Sequence, residues 1–237
     1  AILDFGEKGF PGILVETIAI FINNLAAPAN TKVFSLTHRL HLTQPQAYIF
    51  DPELPYWIIY RNQLFDSVCR KLDFDVFEVF RDRQLTNKLL SSSGELRVLK
   101  SRNLSDDGKE ILDIPGYDSY ISYAAAKPLS VFQYLDAPNV YLTPNMTYKP
   151  RMMKKPPHCV VNGSLAILIP KGGIVPTEKQ LAYFSSEEYR AFYQIARNFQ
   201  TRSLNVDACS VFFYGLLRDE ARPAPEKFDT SVQLSFL

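Results

Sequence analysis

The sequence predicts a mixed α+β protein, and three observations carry that expectation. The run Gly12 to Ile22 (GILVETIAIFI) is rich in β-branched residues, contains a single carboxylate and reads as a buried strand. Two later segments, 56–72 and 186–199, place apolar residues at helical spacing. Between them, short apolar pieces alternate with turn-forming residues, the pattern of several short strands.

Taken in order, residues 10–24 form the first expected strand, and Val33 to Leu42 holds another. A strand as apolar as the first normally lies inside an α/β sheet with both faces covered. Few residues precede it, so the chain is expected to be the C-terminal piece of a larger protein. Thr43-Gln44-Pro45 and Asp51-Pro52-Glu53-Leu54-Pro55 read as a proline-punctuated linker, with Asp51 and Glu53 solvated. Trp57, Tyr60, Leu64, Phe65, Val68 and Leu72 then recur at helical spacing, so a helix is expected over 56–72 with Trp57 as a core anchor. Glu95–Lys100 and Asn139–Leu142 are expected strands. Cys159 to Pro170 reads as two strands of a hairpin joined at Asn162-Gly163. Ser185 and Glu188 have capping-box spacing and open the clearest helix, whose apolar stripe is Tyr189, Phe192, Tyr193, Ala196 and Phe199. Ser210 to Leu217 is expected to close as an apolar strand.

With 237 residues, 46% of them hydrophobic, the chain can bury a substantial core. Cys69, Cys159 and Cys209 lie far apart, without metal-ligand spacing, and read as buried thiols of a reducing cytosol. No apolar run reaches the roughly 18 residues of a membrane span, and the expected setting is cytoplasmic with no membrane partner. The net charge is only +1, but its distribution is uneven. Tyr148 to His158 carries four cations and no acid, and Tyr189 to Val206 carries Arg190, Arg197 and Arg202. Acids gather instead around Asp73, Asp106 and Asp219. Such basic faces suit a phosphate-bearing partner, although ordinary solvated faces look the same.

Neither a Gly-rich phosphate loop nor a GxSxG elbow occurs. His38, His41 and His158 have no nucleophile–base setting. By its motifs, this is a binding module without an evident active site.

Several segments together resemble the C-terminal half of adenine-specific DNA methyltransferases from type II and IIS restriction–modification systems. ILDFGEKGFPGILVETIAIFI (2–22) is similar to the last strands of their S-adenosylmethionine-dependent catalytic domain. FEVFRDRQLTNK (77–88) and GELRVLKSRNLSDDGK (94–109) resemble the entry to their target-recognition domain, which is related to type I specificity subunits. NVYLTPNMTYKPRM (139–152), CVVNGSLAILIPK (159–171) and residues 183–217 resemble its second half. The resemblance implies a remnant of an α/β methyltransferase sheet over 1–45 and a mixed α+β target-recognition domain over 46–237. The catalytic Asn/Asp-Pro-Pro-Tyr/Phe motif does not occur; Pro156-Pro157 is followed by His158. Nor does the Gly-containing S-adenosylmethionine loop. The cofactor would therefore belong to the parent protein, and no methyl transfer is expected of this chain.

What the resemblance implies is recognition of double-stranded DNA for base flipping elsewhere, possible alongside a cognate restriction endonuclease, separate or fused. Arg and Lys would hold phosphates, while Arg, Asn and Gln read base edges. The expected DNA-contacting residues are Arg83, Lys100, Arg102, Asn103, Lys149, Arg151, Lys154, Lys155, Arg197, Asn198, Gln200, Arg202 and Asn205. For the three asparagines in loops, Asn103, Asn198 and Asn205, turn formation or capping is the competing role. The alternative for the whole chain is a non-enzymatic specificity subunit or a protein-interaction module.

Overall fold

The computed structural model describes residues 1–23, 29–200, 205–219 and 235–236. They form a mixed α+β fold that divides into two compact units. The first comprises 1–70, 194–204 and 220–237, and the second 71–193 and 205–219. Residues 46–70 thus group with the opening strands, and the proline-rich stretch 51–55 lies inside a unit.

The first unit holds β1 (Ile2–Gly6), β2 (Thr17–Ile20), β3 (Asn30–Ser35), β4 (Leu40–Pro45), α1 (Gln46–Ile49) and α2 (Gln63–Cys69). The second holds β5 (Leu72–Asp73), β6 (Phe77–Phe80), β7 (Leu96–Leu99), β8 (Ser119–Ile121), α3 (Tyr123–Ala126), β9 (Tyr141–Pro144) and β10 (Met153–Lys154). It continues through β11 (Cys159–Val161), β12 (Leu165–Pro170), α4 (Glu178–Tyr183), α5 (Glu187–Ala196) and β13 (Leu216–Leu217). The last residues of α5 count with the first unit, as does β14 (Ser235–Phe236).

The first unit is built on a sheet ordered β14-β4-β3-β1-β2. Ile2, Val33 and Leu42 are register partners on its core face. They are covered by Ile49, Ile59 and Tyr60, and the Tyr60 hydroxyl donates to Asp4 Oδ2. That cover does not enclose β2. The expected buried strand over 10–24 is instead a four-residue edge strand in an exposed stretch: Phe10, Ile13, Leu14, Val15, Ile18, Ile20, Phe21 and Ile22 are all solvent-exposed. Val33 to Leu42 is likewise two strands rather than one, since β3 and β4 pair antiparallel across a turn.

The expected helix over 56–72 shortens to α2, because Asn62 caps it by accepting from the Phe65 amide at 3.0 Å. Ahead of it, Arg61 pairs with Asp51 at 2.7 Å and Asp66 at 2.8 Å and lies over the Tyr48 ring. Asp51 is thus an ion-pair partner and not a solvated linker charge. Trp57 is 44% exposed and leans on Phe50 instead of anchoring a core. Burial pushes the Cys69 thiol up to about 12, which leaves it inert. Cys209, expected to be buried, is exposed.

In the second unit, β10-β9-β12-β6 and β11-β7-β8 form two sheets around one apolar core containing Leu96, Val98, Ile121, Leu142, Val160 and Ile167. The Asn162-Gly163 turn exists, but the hairpin does not. β11 pairs parallel with β7, whereas β12 pairs antiparallel with β9 and β6, so the chain changes sheet at that turn. α5 is capped by Ser186, which accepts from the Tyr189 amide at 3.1 Å. Ser185 instead donates to Ala182 O, and Glu188 bonds to Lys71 and Tyr183. Tyr189 and Phe192 are fully buried among Phe184, Phe213 and Tyr214. Phe199, the last residue of the expected stripe, lies beyond the helix at φ 52°. Residues 210–213 form a 3₁₀ turn, which leaves only β13 of the expected closing strand.

Candidate functional site

Three loops of the second unit converge on the turn Asn162-Gly163-Ser164, and a fourth joins them through Asn145. Its own geometry is fixed by Asn162 Oδ1, which accepts from the Ser164 amide at 3.1 Å and from its hydroxyl at 2.6 Å. The loop after β6 passes so close that a Cβ on Gly163 would meet Asp82 O at 2.8 Å, so glycine is needed for packing. The loop after β7 docks through Ser101 N, which donates to Ser164 Oγ at 2.9 Å. The loop after β9 docks through Asn145, whose amide donates to Ser164 O at 2.9 Å and whose Nδ2 donates to Gly163 O at 3.0 Å. The same Nδ2 donates to Asn205 Oδ1 at 2.9 Å, and the Val206 amide returns to Asn145 Oδ1 at 3.0 Å. Asn145 is 5% exposed, and nearly all its hydrogen-bonding capacity goes into joining three segments.

The expected DNA-contacting residues divide sharply around this hub. Arg83, Arg102 and Lys149 are exposed on its loops. The Arg102 guanidinium stacks on Tyr117 with its carbon 4.7 Å from the ring centroid. Lys149 lies 3.2 Å from Asp106 and holds that carboxyl below its ordinary value. Lys100 is half-buried: its Nζ donates to Tyr117 O and to Ser119 Oγ, and burial pushes its pKa down. Asn205 is tied to Asn145 as described. Lys154 is exposed but lies opposite Tyr141, the first residue of β9 and four residues before Asn145, or about 13 Å of extended chain.

Three expected contacts turn inward, and their charges or amides support the loops. Arg151, 7% exposed, donates to Lys149 O, Ser101 O and Leu104 O at 3.1–3.2 Å. It thereby staples the Tyr148–Lys155 segment to the turn that carries Arg102. Lys155, 4% exposed, donates to Leu135 O at 2.8 Å and Pro156 O at 3.0 Å, and burial lowers its pKa. Asn103 is fully buried: it accepts from the Lys100 amide and donates to Leu112 O and Asp118 Oδ1. A side chain committed to interior carbonyls cannot also grip an external phosphate, so the phosphate-holding role expected of Arg151 and Lys155 does not fit this geometry.

Arg197, Asn198 and Gln200 belong to the first unit. Arg197 is buried, and Asn198 at φ 49° accepts from the Ile59 amide and donates to Trp57 O. Gln200 is half-buried, and its amide donates to Arg197 O. Arg202 lies outside the described residues. The acidic stretches are partly offset in space: Lys149 meets Asp106, Lys171 meets Asp75 and Arg218 meets Asp73.

Asp82, Asn145 and Ser164 organise the hub but were not among the expected residues. The signal that could have found them is the Asn162-Gly163 dipeptide, read as a loop junction in place of a hairpin. Among the described residues, no three His, Cys, Asp or Glu side chains group as a metal centre requires, and no helix is long and apolar enough to cross a membrane. No protein-family model matches the chain, and no curated protein matches it.

Proposed function

We propose that the second unit is a DNA-recognition module, the target-reading part of an adenine-specific methyltransferase whose cofactor and catalytic motif are carried by another domain. One observation carries the reading. Arg151 joins two basic segments, distant in sequence, into one loop cluster, with Arg102 and Lys149 outward and the buried groups holding them in place. Preorganised cations on interlocked loops suit a phosphate backbone, because little side-chain or loop order remains to be imposed on binding. The apolar strip on β2 supports the wider assignment, as a sheet edge of that composition suits a protein neighbour better than water.

The test is binding of a short labelled duplex to the chain at several salt concentrations, by fluorescence anisotropy. The expected outcome is salt-dependent binding, with an Arg102→Ala/Lys149→Ala variant lowering the slope of log affinity against log salt by about one to two. S-adenosylmethionine, titrated into the same protein by calorimetry, should give no heat of binding. Failure to bind duplex at low salt, or a slope unchanged in the variant, would remove the reading in favour of a protein-interaction module.

A further inference from the structure

Many cations of the second unit are neutralised locally: Lys71, Arg97, Lys149, Lys171 and Arg218 each lie within ion-pair distance of an acid. Arg83, Lys88 and Lys127 are different. All three are exposed, and none has an ion-pair or hydrogen-bond partner for its side chain among the described residues. Lys88 lies farther along the loop after β6, and Lys127 lies outside the loops described above.

The three sit on two loops that are fastened to each other. The loop after β6 is held by Asp82, 4% exposed, whose carboxylate accepts from the Gln84 amide at 3.3 Å and the Leu85 amide at 2.8 Å. Those bonds commit Asp82 to the backbone, as Glu95 is committed to the Tyr123 amide at 2.8 Å. Gln84 Oε1 then accepts from the Ser130 amide at 2.7 Å, which joins this loop to the turn after α3. Leu85 and Leu90 also share one apolar cluster with Ala126 and Leu129, residues that flank Lys127. Arg83 and Lys88 therefore lie on one, and Lys127 beside the other, of two segments joined by a hydrogen bond and a shared apolar cluster. Like charges held on a fixed rim repel unless an anion lies across them.

We propose that Arg83, Lys88 and Lys127 form a second phosphate-binding rim that extends the duplex footprint from the loop hub across the turn after α3. The inference rests on the DNA reading above and adds to it two contacts and a direction. Duplex DNA fits because it is a continuous line of charge, about one per 1.7 Å of axis, and can meet cations on separate loops together. The rim also presents Thr86 and Asn87, exposed and short, beside the cations.

The experiment compares the full chain with Lys88→Ala/Lys127→Ala and, separately, Arg102→Ala/Lys149→Ala, measuring duplex affinity over a salt series. The rim pair should weaken binding to every sequence alike and lower the salt slope by about one to two. Its thermal unfolding should match that of the parent chain, because neither lysine makes a side-chain bond among the described residues. If the hub pair lowers the slope and the rim pair leaves it unchanged, the rim proposal fails and the DNA reading stands. If neither pair matters, or the chain does not bind duplex, both fall. Binding to phosphatidylserine vesicles that is lost in the rim pair, with duplex binding intact, would assign the rim to a lipid surface and overturn the proposal.

Discussion

Two stretches of nearly equal hydrophobicity meet opposite fates in this protein. Gly12 to Ile22 ends as an exposed stretch around the edge strand β2, whereas Leu165 to Pro170 becomes β12, hydrogen-bonded on both sides and buried at all but one position. Composition does not separate them. What separates them is position: β12 lies between β9 and β6 over the core, while β2, among the described residues, pairs with β1 alone, beyond the cover that Ile59 and Tyr60 place over Ile2 and Val33. An apolar run specifies a surface that seeks cover, and the sheet order decides whether cover is supplied from within the unit.

The comparison can be tested by truncating both strands. Ile167→Ala, at a fully buried site in β12, should cost about 2–5 kcal/mol in urea unfolding. Ile18→Ala in β2, 47% exposed, should stay within about 0.5 kcal/mol. Equal costs would mean that β2 is covered in solution. A smaller effect separates two cations of one segment. Arg151→Met removes three hydrogen bonds, the one to Leu104 O fully buried, and should cost about 1–3 kcal/mol, whereas Lys149→Ala should be close to neutral.

Asp118 offers a pH-dependent test. Burial raises its pKa, but the Asn103 side chain, the Ile114 amide and Arg97 outweigh that and hold it below its ordinary value. Its contribution is then fully present above the unfolded value of about 4 and lost as pH falls through the lower folded value. The stability gap between the parent chain and Asp118→Asn should be widest at neutral pH and close on acidification. A gap independent of pH would show that its charge is not what stabilises the 112–118 turn. The smallest expected change in stability comes from Ile20→Lys and Ile22→Lys on the apolar strip. Denaturation midpoints should hardly move, while light scattering should show less self-association.

Where a local signal was self-sufficient, the sequence was a good guide to structure. β7 and α5 fall where expected, because a short alternating strand and a capped amphipathic helix each rest on nearby residues. At α5 even the cap was nearly legible, displaced by one residue because Ser185 found carbonyl partners at Ala182 and Asp107. The helix expected from Tyr56 failed for a comparable reason. Asn62 offered a cap inside the periodic stretch, and Tyr56, Ile59 and Tyr60 were drawn into other bonds and packing.

The candidate site was legible as residue types and not as roles. Arg83, Arg102, Lys149 and Lys154 are exposed cations, as a binding face needs, yet Arg151, Lys155 and Asn103 have the same local character and face inward. Nothing in a window such as YKPRMMKK tells which cation finds a carbonyl, because the acceptors at Ser101, Leu104 and Leu135 arrive from 20 to 50 residues away. By itself the sequence determined the mixed α+β class, the position of the basic segments and the turn at Asn162-Gly163. The tertiary structure alone decided that this turn changes sheets and gathers three loops, with a fourth joined through Asn145, that Arg151 fastens two of them, and that the most apolar run remains open. Propensity and capping act within a few residues, whereas burial and hydrogen-bond partnership are set by whatever the fold brings alongside.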